Sequence, residues 1–382
     1  MVRRWRALPM LLPVLTLPAW GFELSTTTDV SAQVTGAHYT QDASLPAEFS
    51  GPDYQMTGLL SVDWNVRASI TSSLDVETRY GLAAISELDQ AGQADAVNDS
   101  ADYRLDDLPT DLDPEFRQRL DRLNLRWYSP FGDYVLGRQA ISFGQARIFS
   151  PVDVVQPASV TEVNNAYRPG VDALRGTWLL GAVSELDVGY VFGDDQVAFA
   201  RLKAYLAGMD WELIGLEING DHQLLSLGTT GAVGTVGWWQ ETSWLNGPDQ
   251  EGIRSTVGLD ATWFDDLYVF SELHYNGLGQ DQSYLNNLTQ SWYQLGAVQP
   301  WGQWYLSLQG QYPVNVLTQL SAGVTTNLND GSSLLHTSVA YDASQSLSVQ
   351  VNALGPVAMD TGLEHEYSLY PFAVELRLDW TF

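Results

Sequence analysis

The sequence predicts an all-β protein, a transmembrane antiparallel up-and-down β-barrel. Three observations carry this. A stretch of about ten residues in which apolar and polar side chains alternate recurs along the chain. The faces opposite the apolar ones hold charge on nearly every strand. The first 21 residues read as a removable export signal.

The alternation is cleanest at the end. Phe372, Val374, Leu376, Leu378, Trp380 and Phe382 share one face, and Ala373, Glu375, Arg377, Asp379 and Thr381 the other. Period two is the strand period, because successive side chains leave opposite sides of the pleat. Leu174, Gly176, Trp178 and Leu180 oppose Arg175 and Thr177. Leu186, Val188, Tyr190 and Phe192 oppose Glu185 and Asp187. Trp304, Leu306 and Leu308 oppose Gln303, Tyr305, Ser307 and Gln309, and Leu347, Val349, Val351 and Ala353 oppose Ser346, Ser348, Gln350 and Asn352. A secreted β-sandwich would place its polar faces in water and an apolar core between sheets. A packed core cannot hold this many charges unless all are paired, whereas a wet lumen can. Trp178, Tyr190, Trp263, Trp304 and Trp380 near strand ends suit interfacial girdles.

Short connections read as tight turns at 129–133, 207–210, 264–266, 299–302 and 342–345, rich in Gly, Pro, Asp and Asn. Longer connections run over 41–52, 87–115, 143–170, 276–289 and 356–365. About 22 residues per strand with its share of loop gives 14–18 strands, with 16 the expected number. Pro313-Val-Asn315 and Asn327-Leu-Asn-Asp-Gly331 do not both fall on the side this count requires.

Met1-Val-Arg-Arg-Trp-Arg6 is a basic start, 7–18 is apolar, and Ala19-Trp20-Gly21 supplies small residues for a peptidase. Residues 1–21 are therefore expected to be a cleavable signal peptide and 22–382 a single barrel domain, exported to the outer membrane of a Gram-negative cell. No cysteine is present, so disulfides and thiolate metal sites are excluded. Against 46 acidic residues stand 18 basic ones, and losing Arg3, Arg4 and Arg6 takes the formal charge from −28 to −31. That sign excludes nucleic acid as a natural partner.

Eight of the 14 arginines beyond the signal lie between Arg117 and Arg175. Arg122, Arg126, Arg138, Arg175, Arg201 and Lys203 form a candidate basic stripe on one wall of the pore. For Arg138 the direction is ambiguous, with a bulge at Gly137 as the suggested cause. Rows of charge set pore selectivity, so the stripe suggests anionic solutes. The competing reading pairs these cations with Asp121, Asp172, Glu185 and Asp187. The segment from Phe143 to Gly170 carries Ile148, Phe149, Val152, Val154 and Val155, too apolar for a freely solvated loop. It is expected to fold into the barrel and narrow it, with Arg147, Asp153, Glu162 and Arg168 near the opening. Irregular chain is tolerated at membrane depth only where it lines or fills a cavity.

Leu136-Gly-Arg-Gln139, Phe143-Gly144, Pro151-Val-Asp153, Pro157 and Arg168-Pro-Gly-Val-Asp172 resemble a pattern in porin-like proteobacterial outer-membrane proteins, among them alginate-export-type channels. The resemblance covers about 40 residues and implies the barrel fold. The ending Leu376-Arg-Leu-Asp-Trp-Thr-Phe382 is similar to the strand read by the barrel-assembly machinery, which makes Trp380 and Phe382 an assembly signal.

Ten acids between Glu87 and Glu115 match no calcium-loop spacing. Glu272-Leu-His274 and His336-Thr-Ser338 are the nearest approaches to hydrolase chemistry, and neither has a nucleophile motif or metal spacing. No catalytic residue, metal or cofactor is expected. The expected partners are outer-membrane lipid and lipopolysaccharide, the assembly machinery and small hydrophilic solutes, with a homo-oligomer allowed. The expected function is passive diffusion of small hydrophilic, anionic solutes. The alternatives are a plugged barrel with an adhesive or assembly role and an outer-membrane hydrolase.

Overall fold

The computed structural model describes residues 23–38, 54–87, 103–105, 111–113, 116–157, 168–281, 283–357 and 365–382. The strands are β1 (Glu23–His38), β2 (Tyr54–Thr71), β3 (Leu74–Glu87), β4 (Asp111–Asp113), β5 (Phe116–Ser129), β6 (Gly132–Gln139), β7 (Val171–Leu179), β8 (Ser184–Phe192), β9 (Val197–Leu206) and β10 (Met209–Ile218). They continue as β11 (His222–Val233), β12 (Val236–Asn246), β13 (Glu251–Trp263), β14 (Leu267–Asn276), β15 (Trp304–Asn315), β16 (Thr318–Asn327), β17 (Ser333–Asp342), β18 (Leu347–Val357) and β19 (Phe372–Thr381).

Each long strand pairs antiparallel with its sequence neighbours, and β4 is a three-residue adjunct to β5. The barrel closes where β1 pairs with β19, from Asp29 opposite Thr381 to His38 opposite Phe372. Phe382 completes the seam, its amide donating to the Thr28 carbonyl at 2.9 Å and its carbonyl accepting from Thr28. Closure leaves no edge, so each of the long strands pairs its backbone on both sides.

The barrel has 18 strands, not 16. Two features of the chain account for the difference. On the side that holds both ends of the barrel, hairpins turn in two to four residues. On the opposite side 193–196, 219–221, 247–250 and 328–332 are also short. Less chain goes into loops than the average assumed, and two more strands fit. Residues 299–302 are not a hairpin turn but the end of a connection spanning 277–303, which contains a 3-10 helix (Tyr284–Thr289) and a single α-helical turn, α1 (Ser291–Gln294). With that turn removed, 316–317 and 328–332 fall on opposite sides and the parity conflict disappears.

The outer face is apolar and exposed: Leu123, Leu125, Trp127, Leu225, Leu227, Leu306, Leu308, Leu376 and Leu378 all point out. Aromatics ring the short-turn end, with Trp127 stacked on Tyr134 at 5.3 Å and Tyr134 edge-on to Trp178 at 5.8 Å. Tyr275 and Trp304, 4.7 Å apart, sit at the other end. Bulging occurs at Asp121 of β5, where the register against β3 slips between Arg79 and Tyr80. The register of β6 runs unbroken through Gly137, which corrects the bulge expected there. Gly137 is needed for another reason: at φ +111° a Cβ would lie 2.3 Å from the Leu123 carbonyl oxygen.

Candidate functional site

The connection between β6 and β7 leaves the wall and crosses to β12, β13 and β14, and carboxylates on those strands catch its backbone. Glu241 accepts from the amides of Gln145 and Ala146 and from the Ser150 hydroxyl (2.9 Å). Glu272 accepts from Arg147 (2.5 Å), Ile148 (2.9 Å), Phe149 (3.4 Å) and the Trp239 indole (2.8 Å). Unpaired backbone amides held away from water are costly, and a charged acceptor makes the stronger hydrogen bond. Thr256 donates its hydroxyl to the Phe149 carbonyl (2.6 Å), so its oxygen is left to accept from His274 Nδ1 (2.7 Å). The pairs noticed around Glu272 and His274 thus hold a segment in place.

Apolar burial completes the attachment. Ile141, Phe143, Val152, Val154 and Val155 form one buried cluster with Val191, Val197, Phe199, Ile214, Leu216, Ile218, Leu224 and Leu245, all from the inner faces of β8 to β12. Phe143 meets Phe199 edge-on at 5.0 Å. Gly144 turns at φ +89°, where a Cβ would meet Ser150 Oγ at 2.1 Å. Only glycine fits that approach.

Arg147, at the tip of the crossing segment, lies 4.3 Å over the Trp239 ring and pairs with Asp260 at 2.5 Å. Tyr268 donates to the same Asp260 oxygen. Asp153 pairs with Arg168 at 3.1 Å. Glu162, the fourth constriction candidate, lies outside the described residues, as do 1–22 and most of the acidic connection between β3 and β5. Three of four constriction candidates line one cavity, and of the wall residues that hold the segment only Glu272 and His274 stand out in the sequence, there as an approach to hydrolase chemistry. The available signal was apolar side chains on both faces of β10 and β11, as in Leu213, Ile214, Leu216 and Ile218. Such a run indicates burial on both sides.

The basic stripe is a set of ion pairs. Arg126 pairs with Glu77 (2.8 Å), Arg175 with Asp187 (2.6 Å), Arg201 with Asp187 (2.7 Å), and Lys203 approaches Glu212 at 3.9 Å. Arg122 donates to the carbonyls of Asp121 and Arg168, both at 2.7 Å. Arg138 is buried, clasped by both Asp172 oxygens (3.0 and 2.7 Å) and by the Leu120 carbonyl (3.0 Å), which places it in the wall rather than on the pore surface.

On the other side of the mouth Glu366, between β18 and β19, is buried. It accepts from the Trp301 amide (3.0 Å), the Asn327 side-chain amide (2.7 Å) and the Tyr305 hydroxyl. Burial pushes its carboxyl up to about 7, against the hydrogen bonds that favour the charge and with Asp330 adding repulsion. At the seam Trp380 stacks on Phe382 at 4.9 Å, both exposed outward.

Solved structures share this architecture over nearly the whole chain. OccAB3 of Acinetobacter baumannii has a TM-score of 0.62 at 9% identity, over 94% of this chain and 99% of its own. OccK9 (OpdG) of Pseudomonas aeruginosa gives 0.61 at 10%, over 94% and 98%. The fold is that of Gram-negative outer-membrane porins. OccD1 (OprD) is similar at a TM-score of 0.55 and 12% identity, over 94% of this chain and 95% of its own. No protein-family model and no curated protein matches the chain. At such identities the likeness carries the fold, and the solute must be argued from this chain's own residues.

Proposed function

We propose that the chain is an outer-membrane channel for passive diffusion of small hydrophilic solutes, with a preference for anions. The observation that carries the preference is the orientation of the ion pairs on the inner wall. Arg119 is 41% exposed while its partner Asp121 is fully buried. Arg175 is 26% exposed against 1% for Asp187, and Lys203 46% against 4% for Glu212. Arg147 is more exposed than Asp260, and Arg168 more than Asp153. Arg138 with Asp172, Arg201 with Glu185, and Arg377 with Asp379 run the other way. Formal charge cancels in most pairs, yet a passing solute meets the cationic side, and at a few ångströms a dipolar wall acts as a charged one. A preference for anions is therefore compatible with a strongly acidic chain.

The buried cluster under the crossing segment favours a second reading, a plugged barrel, because it fills part of the lumen. Recording in planar bilayers separates the two. Stable open steps with a reversal potential toward the anion are the expected result. A folded barrel that stays silent would establish the plug. Replacing Arg119, Arg126 and Lys203 with Gln should move the reversal potential toward zero, and a wild-type value on the cation side would overturn the preference.

A further inference from the structure

Arg254 of β13 is 3% exposed and carries a full charge in the wall. Among the described residues its one hydrogen bond is a long 3.4 Å contact from Nη1 to the Pro151 carbonyl, and its Nε–H has no partner. No carboxylate among the described residues lies within ion-pair distance of it, and those nearby are committed elsewhere. Asp153 is taken by Arg168 and by the Phe143 amide (3.5 Å), and Glu241 by Gln145, Ala146 and Ser150. The guanidinium lines a cavity of about 230 Å³ between the crossing segment and Gln299-Pro300. Among the described residues the cavity walls hold Arg147, Arg168 and Arg254 against the single acid Asp153. Among the described residues Arg147 and Arg168 each have a carboxylate within ion-pair distance, and Arg254 has none.

A buried cation left unpaired costs far more than one given a counter-charge. From this geometry we infer that the cavity is a binding site for one small monovalent anion, a halide ion or a carboxylate group, which accepts from Arg254 Nε. The anion would share the cavity with the backbone of residues 142–150 and so help to hold the crossing segment. The site lies in the wall behind that segment, and the inference does not depend on which solutes traverse the pore.

The test is diffraction from crystals of the full barrel grown in detergent with sodium bromide. An anomalous peak within hydrogen-bond distance of Arg254 Nε is expected, lost in Arg254→Met and weakened in Arg254→Lys, which keeps the charge without the Nε–H. Absence of the peak in wild type overturns the proposal. A peak that persists in the folded Arg254→Met protein overturns it too and marks an adventitious ion only. Sodium formate added at constant ionic strength should displace bromide, and a peak unmoved by formate removes the carboxylate from the proposal. If Arg254→Met loses the peak and keeps the wild-type reversal potential, the anion site stands whatever the fate of the transport reading.

Discussion

The inner wall from β8 to β12 and the inner wall from β15 round to β3 follow the same period-two rule and meet different surroundings. On the first, Val197, Phe199, Ile214, Leu216 and Leu224 point inward and are covered by a segment of their own chain. On the second, Gln309, Gln311, Gln350, Glu375, Arg377, Asn65 and Glu77 point inward, mostly half-buried. Alternation alone makes a face, and a polar inner face needs only water. An apolar inner face needs a cover, and here the cover is the connection between β6 and β7, joined by Leu278, Trp292, Ala297 and Val298 of the connection between β14 and β15. The crossing segment lies on that side because that side has a dry surface to bury.

The largest expected effect comes from removing what fastens the cover. Glu241→Ala with Glu272→Ala strips the acceptors from five consecutive amides, Gln145 to Phe149, each charge-assisted bond being worth about 1.5–3 kcal/mol. The segment should leave the wall and single-channel conductance should rise about twofold, with more open-state noise. Unchanged conductance from a folded double variant would mean that this segment does not limit the pore.

Much of this was legible in advance. The last strand reveals its two faces in eleven residues because one side meets apolar surroundings and the other charge. The inward path of 143–157 follows from its valines and phenylalanines, which a solvated loop would not carry. Its landing site was harder to see, since Glu241 looks like any inward polar residue and Glu272 like half of a hydrolase pair until the amides they hold are known. The strand number was missed because an average loop length hides how tight these turns are. Charge pairing was visible as an alternative, but the exposure of each partner depends on side-chain depth, which no spacing rule encodes.

The apolar side of the cover gives the next effect. Phe143→Ala removes a ring packed on Phe199 and should cost about 3–5 kcal/mol, the usual range for a buried Phe. The loss should appear as faster proteolysis within 143–157 while the strands remain protected. Loss of the whole barrel instead would mean that the cluster supports the wall as well as the segment.

A third test concerns the other side of the mouth, where Glu366 joins β15, β16 and the turn before β19. Its carboxyl is raised from the ordinary value to about 7 by burial. The folded state thus binds this proton more tightly than the unfolded one. The stabilisation it gives is complete below the ordinary carboxylate pKa and is lost as pH rises through about 7. Hydrogen exchange at 365–371, corrected for intrinsic rate, should be faster at alkaline pH than at pH 5. Glu366→Gln should remove most of that dependence, and a flat profile in wild type would refute the assignment.

The smallest effect belongs to the polar wall. Gln350 of β18 donates to the Ser338 hydroxyl at 3.1 Å and is half-buried on the inner face. Where water can take over such a bond, Gln350→Ala should change stability by no more than about 0.5 kcal/mol. Thermal unfolding of the folded barrel, read on a gel that separates folded from unfolded chain, would measure it. A loss of about 2 kcal/mol or more would show that this side chain is sealed from solvent, since only a buried polar partner left unsatisfied costs that much. The difference drawn between the two walls would then lie in their side chains and not in their access to water.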